Sequence, residues 1–241
     1  MKKICIVVPC FNESKRLPKK DFESFLMTNQ IYFFFVDDGS NDDTFQVLNA
    51  IKNKFIEKVR VIKNVLNVGK AESVRNGING ALEWHDFEYV GYFDADLATP
   101  LDQIEHIMEF FKISKDYEFA FGSRIKRLGV EIDRIPARHY FGRVFATFAS
   151  LILNLPVYDT QCGAKIIRSE LARQIFNKPF ISKWLFDIEL IARTKKIYQS
   201  NIFIEVPLNR WIEKGETKIK LTDIFKFPID LFRINQFYNY R

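Results

Sequence analysis

The sequence predicts an α/β fold: a mostly parallel central sheet flanked by helices, closed into one domain. Three observations predict it. Five short apolar runs, residues 4–8, 31–36, 59–62, 89–93 and 119–121, alternate with segments of helical periodicity at 17–27, 43–55, 69–84 and 100–113. The length of 241 residues suits one sizeable α/β domain and is short for two. Every conspicuous polar motif of the first half falls where an apolar run ends, which is where parallel sheets place their ligands.

Taken in order, the apolar runs read as strands buried on both faces, and the periodic segments as the helices that cover them. Pro18 and Pro100 stand where helices can begin. After Arg124 the rhythm changes: a helix over 137–153, a short run at 164–167, helices at 169–176 and 184–195, and a strand at 202–206. The tail, 221–240, sets Leu221, Ile224, Phe225, Leu231, Phe232, Ile234 and Phe237 among Lys226, Asp230 and Arg233. That pattern predicts an amphipathic helix, or a pair of helices broken at Pro228. No repeat, low-complexity segment or flexible linker interrupts the chain.

Composition narrows the class. Apolar residues make up 47% and charged residues 27%, as in a globular protein with a true core. Phenylalanine, at 25 copies, is over-used, from codon bias or as apolar surface meant for lipid. Cys5, Cys10 and Cys162 are odd in number and lack metal-ligand spacing, which predicts a reduced, cytoplasmic protein. The N-terminus lacks the pattern of a signal peptide. The longest uncharged run, 144–158, is interrupted by Asn154 and Pro156, so no membrane span is predicted. The net charge of +6 is uneven: Arg124, Lys126, Arg127, Arg134, Arg138 and Arg143 cluster against Glu131 and Asp133. Such a cluster suits an anionic membrane or substrate phosphates, or is a solvated loop; no nucleic-acid module is visible, and no nucleic-acid partner is expected.

Four polar strand ends describe a site. The first run leads into Pro9-Cys10-Phe11-Asn12-Glu13, the second into Asp37-Asp38-Gly39-Ser40 and Asn41-Asp42-Asp43-Thr44, the third into Asn67-Val68-Gly69-Lys70, the fourth into Asp94-Ala95-Asp96. Asp94 and Asp96, two apart on extended chain, leave the same face and can share a hard divalent cation, Mg²⁺ or Mn²⁺. Taken alone such a pair is a weak signal and more often caps a turn or the following helix. Asp37 and Asp38 are placed to accept hydrogen bonds from a base or ribose, with Asn41, Asp42 or Asp43 as the cap of the next helix. Gly69-Lys70 lacks the upstream glycine of a P-loop, and no Gly-x-Gly-x-x-Gly follows the first strand. His85, His106 and His139 are scattered and read as structural.

In order, these motifs resemble the inverting family 2 glycosyltransferases of the GT-A fold, and most of all the dolichyl-phosphate and polyprenyl-phosphate hexosyltransferases. Segments 121–124 and 184–190, Asp159-Thr160-Gln161-Cys162-Gly163-Ala164-Lys165 and Gly215-Glu216-Thr217-Lys218 extend the likeness along nearly the whole chain. The resemblance implies a nucleotide-sugar half (1–124), an acceptor half (125–218) and an amphipathic tail (219–241). It implies that Pro9, Asn12, Glu13, Asp38, Gly69 and Lys70 surround the nucleotide, and that Asp94 and Asp96 take nucleotide and metal roles. Arg124 would position phosphate groups. Arg138, Arg143 and Lys218 would approach the acceptor phosphate, although Glu216-Thr217 departs from the usual serine context of that last motif. Many relatives carry C-terminal transmembrane helices and this sequence shows none, so contact with the cytoplasmic membrane face from one side, or an acceptor that is not a membrane lipid, is expected.

The expected reaction transfers a hexose, with UDP-glucose the expected donor, to a polyprenyl or dolichyl phosphate. The alternative acceptor is a saccharide in cell-surface polysaccharide synthesis. A phosphate monoester is already ionised near neutral pH and needs little base catalysis, whereas a sugar hydroxyl needs a carboxylate base. Asp159 is the first candidate for that base and Asp187 the second, the latter being equally a first-turn helix acid. A non-catalytic sugar-nucleotide module is disfavoured by the complete acidic pair, and a nucleotidyltransferase by Phe11-Asn12-Glu13 in place of a Gly-rich basic loop.

Overall fold

The computed structural model describes residues 3–133, 135–198, 200–214 and 226–238, with backbone alone at 136–139, 141 and 200. In chain order the elements begin β1 (Ile4–Cys10), α1 (Lys19–Thr28), β2 (Tyr32–Asp37), α2 (Thr44–Lys54), β3 (Val59–Lys63) and α3 (Lys70–Trp84). They continue β4 (Tyr89–Phe93), α4 (Asp102–Ile113), β5 (Phe119–Ser123), β6 (Glu131–Asp133), α5 (Pro136–Leu153), β7 (Ala164–Arg168) and α6 (Ser169–Ile175). The last are α7 (Phe186–Ile197), β8 (Phe203–Pro207), β9 (Arg210–Ile212) and α8 (Phe227–Tyr238). They gather into two compact units, Met1–Leu101 with Gly163–Pro179, and Asp102–Cys162 with Phe180–Arg241.

The first unit holds strands in the order β3-β2-β1-β4-β7. β3, β2, β1 and β4 run parallel, as the alternation of strand and helix requires, and β7 lies antiparallel to β4 with Ala164 opposite Phe93. The chain lays β2 and β3 on one side of β1 and then β4 on the other. Strand order therefore reverses between β1 and β4, and a crevice opens beyond their carboxyl ends. β1, β2 and β4 are apolar along most of their length because helices cover both faces, whereas the edge strand β3 carries Arg60 and Lys63. Phe22 of α1 meets Phe33 and Phe35 of β2 edge-on, at centroid distances of 5.4 and 5.2 Å. On α3, Ala71, Val74, Ile78 and Ala81 are buried at helical spacing. Each large side chain so buried stabilises the fold by roughly 1.5–3 kcal/mol. Much of the phenylalanine excess is thus core: Phe22, Phe33, Phe35, Phe93, Phe119, Phe121, Phe176 and Phe186 are buried.

The second unit pairs β5 with β8 and β6 with β9, both in parallel. The short β6 and β9 were not expected; at three residues each they carry too little pattern to read. Helix α5 begins with Pro136 at its first position and ends at Asn154, whose φ of 44° is the left-handed stop of many helices.

Pro228 lies in the first turn of α8, where its missing N–H has no intrahelical acceptor to lose. Leu231 and Ile234 face inward, and the Ser182 hydroxyl donates to Asp230 at 2.7 Å. At the helix end the Tyr238 hydroxyl donates to Glu189, itself fully buried and ion-paired to Arg193 at 2.8 Å. Burial, then the Glu189 charge, pushes the Tyr238 hydroxyl up to about 12. Residues 221–225 of the expected helix lie outside the described residues. Among the described residues no helix is long and apolar enough to cross a membrane.

Candidate functional site

In the first unit the loops beyond β1 and β2 are sewn together by side chains. Pro9 lies in β1 opposite Val36, one step before the strand ends. Asn12 takes a positive φ of 53°, its N–H donating to the Ser40 hydroxyl and its side-chain oxygen accepting from the Asn41 N–H, both at 3.0 Å. Glu13 is buried; its N–H donates to the Thr44 hydroxyl at 2.8 Å and its carboxylate holds Arg16 at 2.8 Å. Asp42 accepts from the N–H and hydroxyl groups of both Ser14 and Thr44. Partial burial would push its carboxyl up, yet these donors hold it down at about 2. Of the three expected caps, Asp42 is the one whose side chain serves the start of α2.

Asp37 is buried, accepts from the Ser40 N–H at 3.1 Å, and pairs with Lys63 at 3.6 Å. Asp38 is occupied differently from a simple ligand contact. Its carboxylate accepts from the Asn64 side chain, the Val68 N–H and the Gly69 N–H, each at 2.9 Å, at 3% exposure. This clamps the loop between β3 and α3 against the end of β2. Gly39, at φ 66°, permits the approach: a Cβ there would lie 2.6 Å from the Leu66 carbonyl carbon. The clamped loop delivers Gly69 as the cap of α3 and Lys70 as its first residue, whose ammonium pairs with Asp94 at 2.5 Å.

Beyond β4 the chain turns sharply. The Leu97 N–H donates to the Asp94 carbonyl at 3.2 Å, with buried Leu97 at φ 52°, a costly conformation for a non-glycine residue. The Asp96 carboxylate accepts from the Ala98 N–H at 3.0 Å. Burial and then the charge of Asp94 raise the Asp96 carboxyl above the ordinary carboxylate value; the Ala98 N–H and Lys70 pull it down, and Glu13 adds to the rise. Asp94, Asp96, Lys70 and Glu13 therefore feel one another's charge at the reversal of strand order. The eight residues read from the sequence as nucleotide-side, Pro9, Asn12, Glu13, Asp38, Gly69, Lys70, Asp94 and Asp96, all stand in this unit, at strand ends, in loops or at the start of α3.

The second unit holds another charged cluster. Arg124, just past β5, forks onto Asp159: Nε donates to Oδ2 at 2.6 Å and Nη2 to Oδ1 at 2.8 Å. The Trp211 ring lies 5.2 Å from the guanidinium carbon. Arg143 of α5 donates to the Tyr158 carbonyl at 2.7 Å and lies over the Tyr158 ring at 3.6 Å. Glu205, on β8, accepts from the Tyr158 N–H at 2.8 Å and the Asp159 N–H at 2.7 Å. Burial raises the Glu205 carboxyl; those two N–H groups oppose it, Asp159 adds to it, and Arg143 opposes it. Arg124, Arg143, Tyr158, Asp159, Thr160 and Gln161 line one cavity. Asp187 is not among its lining; it is buried in the first turn of α7, where a carboxylate suits the helix dipole. Arg138 lies in α5 at a position with backbone alone described, and Lys218 lies outside the described residues. Sequence reasoning missed Glu205 and Tyr158 as members of this cluster, because the role of Glu205 depends on a turn 46 residues away.

The sequence matches the family described as Glycosyl transferase family 2 over residues 5–176. It is 30% identical over 246 residues to a dolichyl-phosphate beta-glucosyltransferase of Trichomonas vaginalis, covering 95% of this chain and 69% of that protein. It is 31% identical to the dolichyl-phosphate beta-glucosyltransferase of Homo sapiens, covering 89% of this chain and 73% of the human one. Among solved structures it is similar to glucosyl-3-phosphoglycerate synthase from Mycobacterium tuberculosis in complex with Mn²⁺ and UDP-glucose. There the TM-score is 0.71 at 17% identity, over 98% of this chain and 79% of that one, a likeness of fold.

Proposed function

This chain belongs to glycosyl transferase family 2 and is a glycosyltransferase, and from that premise we propose that it transfers glucose from UDP-glucose to a dolichyl or polyprenyl phosphate with inversion. The observation that carries the reading is the convergence of Asp94, Asp96, Lys70 and Glu13 at the strand-order reversal of the first unit. The donor and acceptor follow the relatives named as dolichyl-phosphate beta-glucosyltransferases.

The residues present fit a divalent cation, Mg²⁺ or Mn²⁺. Burial, and then repulsion from Asp94, raise the Asp96 carboxyl, and a shared cation would relieve that repulsion. No group of three or more His, Cys, Asp or Glu side chains suited to a metal occurs among the described residues. Asp94 and Asp96 would be the side chains that hold such an ion, which would supply positive charge beside the diphosphate. Such a cation neutralises charge that builds on a departing nucleotide diphosphate. Lys70 adds a positive charge beside the same carboxylates, and the Asp38 clamp fixes the loop that presents it.

In the second unit, Arg124 and Arg143 supply guanidinium groups suited to phosphate recognition. Asp159 engages Arg124 with both oxygens, which suits it to hold that arginine rather than to take a proton. This favours a phosphate acceptor, ionised through a second pKa of about 6, over a sugar hydroxyl that needs a base. Contact with a lipid surface is part of the proposal. Along α5, Tyr140, Val144, Phe148 and Leu151 form one stripe, exposed by 71, 57, 59 and 72%. Ile229, Phe232 and Phe237 of α8 are exposed as well.

A donor-by-acceptor panel with radiolabelled nucleotide sugars tests the reaction. Transfer from UDP-glucose to polyprenyl phosphate is expected; transfer to saccharides alone refutes the acceptor. Asp96→Ala is expected to abolish transfer while circular dichroism stays unchanged, and substantial turnover in that variant removes the cation site. Co-sedimentation with anionic liposomes is expected for the chain and lost in Val144→Glu/Phe148→Glu; equal partitioning of both removes α5 from membrane contact.

A further inference from the structure

The geometry points to Gly163 as a positioning residue: the space where its side chain would be is the seat of the Asp94 carboxylate. The inference rests on the reading of Asp94 and Asp96 as a cation pair, and gives a task to the glycine of the 159–165 motif. β7 runs antiparallel to β4 with Ala164 opposite Phe93, so Gly163 and Asp94 stand opposite one another one step beyond that pair. A Cβ on Gly163 would lie 2.0 Å from Asp94 Oδ2, 2.4 Å from Cγ and 2.8 Å from Oδ1. The carboxylate therefore rests on the bare Cα, and from there it meets the Lys70 ammonium.

What would have to move decides what a methyl group costs. At Gly91, also on β4, an added Cβ would strike the Lys165 carbonyl oxygen at 2.3 Å, backbone that cannot yield without opening the strand pair. At Gly163 the obstacle is the far end of a side chain that is 38% exposed and can rotate into solvent. Gly91→Ala is charged to stability, whereas Gly163→Ala is charged to the placement of Asp94. A support of this kind for a metal ligand is typically worth about 10–100-fold in metal affinity.

The test measures Mn²⁺ binding in the presence of UDP, from the electron paramagnetic resonance signal of free Mn²⁺, for the intact chain and Gly163→Ala. It is joined to thermal melting and a metal-free crystal structure of the variant. The expected result is a melting temperature close to that of the unaltered chain, Mn²⁺ affinity lower by about 10–100-fold, and an Asp94 carboxylate swung away from Lys70. Unchanged Mn²⁺ affinity, or Asp94 still against Lys70 in the crystal, overturns the inference. If the unaltered chain binds no Mn²⁺ with UDP, the cation reading fails, and the crystal structure still decides the seat. If Gly163→Ala does not fold, Gly163→Ala/Asp94→Ala removes the collision. Recovery of folded protein then supports the seat, and failure to recover overturns it.

Discussion

Asp38→Asn keeps the shape of the side chain and removes its charge and one acceptor. In the structure Oδ1 accepts from the Asn64 amide and the Val68 N–H, and Oδ2 from the Gly69 N–H, all at 2.9 Å. An asparagine offers one oxygen and one NH₂, so in either orientation at least one loop N–H faces another donor. At 3% exposure water cannot readily repair the loss. A hydrogen bond to a charged group contributes about 1.5–3 kcal/mol and a buried unsatisfied donor costs about 1–3 kcal/mol; as the two overlap, the variant is expected to lose about 2–4 kcal/mol. Urea unfolding without nucleotide should show the midpoint falling at constant slope. Calorimetry with UDP should show weaker binding as a consequence of the loosened loop. If the carboxylate serves only the nucleotide, stability without ligand stays unchanged while UDP affinity falls. That pair of results would refute the clamp.

Glu189→Ala leaves Arg193 buried without its carboxylate and Tyr238 without its acceptor, and is expected to destabilise the protein by about 3–5 kcal/mol in urea unfolding; a loss under 1 kcal/mol would contradict the anchoring of α8. Arg124→Lys gives up the fork onto Asp159 and is expected to lower kcat/KM by about 10–100-fold, with Asp159→Asn giving a similar loss in the same transfer assay. For Glu205 the sign follows from its raised folded pKa. Its contribution to stability is fully present below the unfolded value of about 4.3 and is lost as pH rises through the folded value. The stability of the unaltered chain relative to Glu205→Gln should therefore shrink as pH rises through that window; a pH-independent difference would show that Glu205 does not titrate there.

Where the sequence was legible, the information was local. Strands β1 to β5 and helices α1 to α4 lie within a few residues of their expected bounds, because burial on both faces leaves unbroken apolar runs and helices leave a 3.6-residue period. The four polar strand ends were legible for the same reason, and a parallel sheet gathers such ends on one edge. The antiparallel setting of β7 was not, since the pattern of a five-residue strand carries no direction. Nor were β6 and β9, too short for any period.

The residues whose surroundings only the fold supplies have partners far away in the chain. Asp38 stands in the sequence as an acceptor for a base or ribose, and the loop 26–31 residues on supplies it with donors from its own chain. Asp159 stands in the sequence as a candidate base for a sugar hydroxyl, and Arg124, 35 residues earlier, donates to both of its oxygens. Gly163 stands in the sequence only as part of the 159–165 motif, and β7 lays it under Asp94. The sequence alone determined the element types, the strand-end chemistry and the family, because each is written in spacing along one segment. Tertiary structure decided which carboxylate clamps, which pairs and which stays exposed, because a side chain's hydrogen-bond partners and water access are set by what packs against it.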